Sequence, residues 1–270
     1  MSANNVKILF AGHGEMGGAL LETWAGVLPL KNFFIVKKHA DGLDALRARG
    51  FNADTEFPKN FKADIAVIAV KPRTVKEILP QIAPHAKNGA LVFSVAAGRT
   101  VKFIEDNLGF GAAVVRCMPN LGFEVKQGAS GMFANERVTP EQKILCEKLM
   151  SAGGVNIWLE REELINAVIA VSGSSPAYIA YFLECLAKAC AEIGLAEKDA
   201  YALALQTLRG TAKFLRQTKT APSDFIKKVA TPGGTTEAAM KILKSGNFKQ
   251  LITEAAEAAV LKAKEKEKEN

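Results

Sequence analysis

The first residues that could do chemistry are Gly12-His13-Gly14-Glu15-Met16-Gly17, placed between the apolar run Val6–Ala11 and a helix pattern reaching about Val27. A GxGxxG loop between strand and helix can cradle the pyrophosphate of a dinucleotide. Gly12 permits the tight turn, Gly14 lets the anion approach the backbone, and Gly17 lets the helix lie on the strand. The helix start adds free N–H groups and partial positive charge. About 20 residues further on, an NAD site usually carries Asp or Glu for the ribose 2′-hydroxyl. This chain has Lys37-Lys38 there and no carboxylate until Asp41. Two ammonium groups suit a 2′-phosphate, so the cofactor reads as NADPH, with NADH as the alternative. A second candidate is Pro232-Gly233-Gly234-Thr235-Thr236, which opens a helix pattern at Glu237. Its backbone N–H groups could seat a carboxylate. A threonine hydroxyl both donates and accepts. Alone, the segment reads better as a plain helix-capping turn.

The elements that must position these residues fall into two rhythms. In the first half, Phe33–Val36, Asp64–Val70, Ala90–Val95 and Ala112–Arg116 are short apolar runs. Uninterrupted runs of this kind suit strands buried on both faces of a parallel sheet. Asp41 can cap a helix reaching Arg49. Strands alternating with helices predict a doubly wound α/β, Rossmann-type domain over residues 1–160. From Glu162 onward no strand is predicted. Helices are expected over 162–171, 174–193, 197–218, 222–229, 235–244 and 247–268, forming an all-helical domain over 161–270. Tyr178-Ile179-Ala180-Tyr181-Phe182-Leu183 is apolar nearly all round, and such a helix needs burial on every side. A helical domain of this size offers limited interior, which predicts a homodimer packed through the helices.

Other chemistries find less support. There are three histidines and four cysteines. Their spacings match neither an HExxH pair nor a CxxC motif, so no metal site is expected. Cys117, Cys146, Cys185 and Cys190 read as buried thiols, and His39 and His85 as solvated side chains. No apolar run approaches the roughly 20 residues of a membrane span. Met1–Asn5 lacks the charged and apolar regions of a secretory signal. A cytoplasmic protein with no membrane partner is therefore expected. The net charge is +7, but basic clusters lack interleaved aromatics, so no nucleic-acid role is expected. The alternating run Lys262–Glu269 reads as a solvated, fraying helix end.

Six segments together resemble the pyrroline-5-carboxylate reductase family, which makes proline from its cyclic imine. They are the glycine loop, Ala69-Val70-Lys71-Pro72, Ser94-Val95-Ala96-Ala97-Gly98, Arg116-Cys117-Met118-Pro119-Asn120, Ser172-Gly173-Ser174-Ser175-Pro176-Ala177-Tyr178 and Thr231-Pro232-Gly233-Gly234-Thr235-Thr236. The last two carry the most specific motifs. The resemblance implies an interlocked helical dimerisation domain, with decamers in some members. It implies that Ala69, Val70, Lys71, Pro72, Ala96, Ala97 and Gly98 line the nicotinamide half of the cofactor site. It also implies that Glu162, Thr235 and Thr236 contact substrate. The chain departs from the family pattern at His13, Glu15, Leu121-Gly122, Ser175 and Lys219.

An imine nitrogen is basic enough to arrive protonated, so positioning and one well-placed donor suffice. Thr236 is the candidate donor, with Gly233 and Gly234 seating the carboxylate. Three readings stand beside this one. A β-hydroxyacid dehydrogenase would need a lysine with an asparagine one helical turn away. The first lysine after Tyr178 is Lys188, and none of its four neighbours on either side is asparagine. A reductase of the F420 type would not explain Thr231–Thr236. A dinucleotide-sensing scaffold would rest on Leu121, Ser175 and Lys219 alone.

Overall fold

The computed structural model describes residues 5–269. Most of the N-terminal segment read for a secretory signal, Met1–Asn4, lies outside them. The chain divides into two compact units. One runs to Gly173 and takes in the chain from Ala259 onward; the other is Ser174–Ala258. Against the division at 160/161 read from sequence, residues 161–173 and the end of the last helix belong with the first unit.

The first unit is built on an eight-stranded sheet of order β3-β2-β1-β4-β5-β6-β7-β8. The strands are β1 (Ile8–Ala11), β2 (Phe33–Val36), β3 (Asn52–Asp54), β4 (Ile65–Ile68), β5 (Leu91–Ser94), β6 (Val114–Met118), β7 (Gly128–Ala134) and β8 (Gly154–Trp158). The first six pair in parallel, β7 runs antiparallel to β6, and β8 is parallel to β7. The central strands are buried on both faces. On β1, Ile8 and Phe10 enter one core with Trp24, Phe33 and Phe93, while Leu9 and Ala11 enter a second with Val75, Ile82 and Ile104. This period-two division explains why the runs read as uninterrupted apolar segments.

The helices of this unit are α1 (Glu15–Ala25), α2 (Leu43–Ala48), α3 (Val75–Lys87), α4 (Val101–Leu108) and α5 (Pro140–Ser151). Asp41 does not cap α2. Gly42, in the left-handed region at φ 74°, holds that position without a side-chain cap, and the helix stops before Arg49. The strands β3, β7 and β8 lie outside the predicted runs. β3 is three residues at a sheet edge. β7 has the small-residue sequence GASGMFA, because Val168 packs so closely on Gly131 that a Cβ there would lie 2.5 Å from its methyl.

The expected helix over 162–171 is broken into a 3₁₀ turn (Glu162–Leu164), α6 (Ile165–Val168) and a wide π turn (Ile169–Gly173). Then follow α7 (Ser175–Glu192), α8 (Glu197–Thr218), α9 (Pro222–Val229), α10 (Thr235–Ser245) and α11 (Phe248–Lys268). In the second unit α7 packs on α8. Leu183, Ala187, Ala200 and Ala204 are buried, while Tyr181, Phe182, Leu186, Leu203 and Leu205 are exposed in the single chain.

Three expectations change here. The stretch Glu162–Glu192 is long and apolar enough to cross a membrane, with mean hydropathy 1.2. The polar break Ser172–Ser175 hid this from a search for uninterrupted runs. And His85 is buried, not solvated. Its burial pushes the imidazole below its ordinary value, against a backbone hydrogen bond with Phe61. Among the cysteines, Cys117 and Cys146 are buried, and burial pushes the Cys146 thiol up to about 12. Cys185 is exposed and Cys190 half-buried.

Candidate dinucleotide site

The glycine loop joins β1 to α1 at the carboxyl end of the sheet, where open parallel sheets bind ligands. Gly12 has φ 103°, and a Cβ there would lie 2.6 Å from the Ala69 carbonyl oxygen. Only glycine supplies both that conformation and that clearance. Gly14 has no atom within 4 Å of a Cβ position, so its backbone is open to an approaching anion. Gly17 faces the Gly12 carbonyl, with 2.8 Å to an added Cβ, and this close approach lets α1 lie on the strand. Glu15 begins α1 and Met16 packs against the first core. No side chain caps α1, so its first N–H groups face the loop with the positive end of the helix dipole.

A cleft of about 810 Å³ opens beside this loop. It brings together Gly12, His13, Gly14, Lys37, Lys38, Ala69, Val70 and Lys71 from three separate strand ends. Glu15, Met16, Gly17, Pro72, Ala96, Ala97 and Gly98 are not among its lining residues. Pro72 opens a 3₁₀ turn after β4, and Ala96–Gly98 follow β5, the next strand across. Sequence reasoning missed Thr55, Phe57, Arg73 and Gln81, which also line the cleft. Arg73 stands two residues past Lys71, and that basic pair beside a strand end was the available signal.

The two lysines are not equivalent. Lys37 is mostly buried; its ammonium donates to the Asp41 carbonyl and lies 3.8 Å from the Asp41 carboxylate. Lys38 is exposed and, among the described residues, unpartnered, free to meet an anion. His13 packs its ring near Gly18 of α1. Burial and then the Lys37 charge push its imidazole below the ordinary value, with Glu22 opposing. Its Nε2 is buried without a hydrogen-bond partner among the described residues. An orphaned polar atom, an open Gly14 and an uncapped helix start in a basic cleft fit a phosphorylated dinucleotide.

Glu162 sits elsewhere in the same unit, in a charged cluster. Arg116, buried in the middle of β6, donates to Glu162 at 2.9 Å and to Glu267 at 2.8 Å. The same Glu162 oxygen accepts the Val101 N–H at 2.9 Å. The Glu162 carboxylate is thus held by protein donors. Asn120, unremarked in sequence beyond its motif, ties three segments: its amide donates to the Ser172 carbonyl at 3.1 Å, and its oxygen accepts from Gly122 and Ala129.

In the second unit, α10 opens at Thr235 with Gly234 before it and no side-chain cap. Gly233 has φ 74°, and its N–H donates to the Glu237 carboxylate at 2.8 Å. Lys241 pairs with that carboxylate at 3.6 Å. The Gly234 N–H bonds the Thr231 carbonyl at 3.0 Å. The groups this turn offers a ligand are therefore the amides and hydroxyls of Thr235 and Thr236. Among the described residues, no group of three or more His, Cys, Asp or Glu could hold a metal ion.

Two family models match the chain. One, described as pyrroline-5-carboxylate reductase dimerisation, covers residues 162–266. The other, NADP oxidoreductase coenzyme F420-dependent, covers 7–98. The pyrroline-5-carboxylate reductase of Methanosarcina acetivorans is 34% identical, with 98% of each chain covered. That of Pseudomonas aeruginosa is 39% identical over 73% of this chain and 72% of its own. Among solved structures, a pyrroline-5-carboxylate reductase from Coxiella burnetii superposes with TM-score 0.92 at 36% identity, covering 97% of this chain and 99% of that one. The Plasmodium falciparum pyrroline carboxylate reductase with NADP bound gives 0.86 at 26% identity, covering 98% of this chain and 100% of that one.

Proposed function

The chain belongs to the pyrroline-5-carboxylate reductase family, and on that premise we propose that it reduces 1-pyrroline-5-carboxylate to L-proline, the last step of proline biosynthesis. The observation that carries this reading is the basic cleft of Gly12–Gly14 and Lys38 at the carboxyl end of β1, β2 and β4. NADPH, with NADH as a second donor, supplies hydride from nicotinamide C4 to the C=N carbon. Gly14 and the α1 N-terminus hold the pyrophosphate. Lys38, assisted by Lys37, meets the 2′-phosphate. Ala69–Pro72 and Ala96–Gly98 border the nicotinamide end.

The Thr235 and Thr236 amides bind the substrate carboxylate, and the Thr236 hydroxyl orients the ring nitrogen, whose proton comes from solvent. Residues 1–160 serve as the dinucleotide-binding domain, with 161–173 and the end of α11 belonging to its compact unit, and the rest of 161–270 serves as the dimerisation and substrate domain. The exposed apolar faces of α7 and α8 are covered by a second copy, not a bilayer, giving a homodimer able to build decamers in the cytoplasm.

The test is NADPH oxidation on adding the cyclic imine. Wild type turns over, and Thr236→Ala loses roughly a hundredfold in kcat, the scale of misplacing the reacting group by about 1 Å. A Thr236→Ala enzyme with full turnover and unchanged KM removes Thr236 from this role. A wild type that binds NADPH without reducing the imine overturns the activity and favours a sensor. Turnover only of a keto acid favours a dehydrogenase.

A further inference from the structure

The run Lys262–Glu269, which in sequence resembles a fraying end, is docked on the first unit. Ala263 is buried. Glu267 accepts from the Arg116 guanidinium with one carboxylate oxygen, at 2.8 Å, and from Asn166 Nδ2 with the other, at 3.2 Å. Arg116 has a side chain only 3% exposed and stands between Glu162 and Glu267. Removing one partner of such a buried cluster leaves charges unbalanced, so its members hold one another in place.

The same helix end touches the loop after β5. Gly98 has φ 71°, and its Cα faces the Lys266 backbone so closely that a Cβ would lie 3.3 Å from the Lys266 carbonyl oxygen. Arg99 extends the contact. Its Nη1 reaches the Glu269 carbonyl at 3.5 Å, and its Nε donates to the Pro72 carbonyl at 3.0 Å. Pro72 and Ala96–Gly98 are the segments assigned above to the nicotinamide end. Glu162, through the Val101 N–H, fixes the start of α4 just beyond that loop.

We propose that the last turns of α11 are a latch on the nicotinamide end of the cofactor site, with Arg116, Glu162 and Glu267 as its positioning residues. The latch sets the place of Ala96–Gly98, and hence of the nicotinamide ring, while the adenosine end is held independently by the glycine loop and Lys38. This rests on the reading of the site given above. Misplacing a reacting group by about 1 Å costs on the order of a hundredfold in rate.

Glu267→Ala therefore lowers kcat by roughly ten- to a hundredfold. Its affinity for adenosine 2′,5′-bisphosphate, which carries only the adenosine end, stays within about twofold of wild type, since interactions with no shared partners are nearly additive. Glu267→Gln keeps an acceptor for Arg116 and returns kcat to near the wild-type value. Unchanged kcat in Glu267→Ala, or equal loss of fragment binding and turnover, overturns the latch. A second measurement needs no variant. The exposed lysines at 264, 266 and 268 are trypsin sites. By reciprocity of coupling, NADP⁺ slows their cleavage in wild type by roughly fivefold or more, whereas the bisphosphate does not. Equal cleavage with and without NADP⁺ overturns the proposal. A wild type that binds neither ligand overturns the site itself, a distinct failure.

Discussion

The two compact units treat apolar surface in opposite ways. In the first, the sheet buries both faces under its own helices: Ile8, Leu9 and Phe10 are each fully buried, although they point to two different cores. In the second, α7 and α8 bury Leu183, Ala187, Ala200 and Ala204 against each other and leave Tyr181 68% and Leu203 61% exposed. A site in the first unit can be assembled from one chain's strand ends. The second unit is incomplete until another apolar surface covers it, and the dimerisation match over 162–266 agrees with a second copy as that surface.

The comparison breaks most sharply if the helical faces are made charged. Phe182→Lys with Leu186→Lys should weaken self-association by about a thousandfold, taking two central apolar anchors at about 2 kcal/mol each. Sedimentation reads the shift to monomer. If the double variant stays dimeric, those faces are not the covered surface. In the first unit the corresponding strike is Gly12→Val. The left-handed backbone and the Ala69 carbonyl 2.6 Å away together should cost more than about 2 kcal/mol of stability. NADPH binding should vanish while the dimer persists. A stable variant that still binds would mean that the loop can shift without loss.

The lysine pair sharpens the picture within the cofactor unit. Lys38→Ala should reduce preference for NADPH over NADH by about tenfold, one charge-assisted contact of about 1.4 kcal/mol. Lys37→Ala should do less, because its ammonium is already engaged by Asp41. Equal effects from the two would show that Asp41 releases Lys37 to the phosphate.

The same contrast explains what could be read from sequence. The helices at 197–218 and 222–229 coincide with α8 and α9 because Pro222 and the Thr218–Thr220 break mark them locally. The strand Phe33–Val36 matched β2 for a similar reason: both its faces are apolar. What stayed hidden depends on partners distant in sequence. β7 is glycine-rich because Phe123 and Val168 press on it, and a strand of small residues carries no periodic signal. Glu267 reads as one more charge in a solvated run; only the fold brings it to Arg116, 151 residues away. The glycine loop was legible because its chemistry and its element boundary coincide within six residues.

The smallest effect separates the units by acid. All three histidines, His13, His39 and His85, lie in the first unit. Burial holds His13 and His85 below their ordinary value of 6.5. A histidine whose folded value is depressed binds its proton more readily when unfolded. The unfolded state therefore gains protons first as pH falls through 6.5, and stability is lost in that direction. His13 is faced by Lys37, Glu22 and Arg49, with the Glu22–Arg49 pair bidentate at 2.7 Å, so the neighbouring net charge also disfavours its cation. Both tryptophans, Trp24 and Trp158, belong to this unit as well, so their fluorescence reports its melting alone. Between pH 7.5 and 5.5 the fluorescence midpoint should fall, and His85→Leu should flatten the slope. Self-association through α7 and α8 should stay level over the same range, because no histidine lies in 174–258. A fluorescence midpoint that does not move with pH would mean that protonating these imidazoles costs the fold nothing, and the burial argument for them would fail.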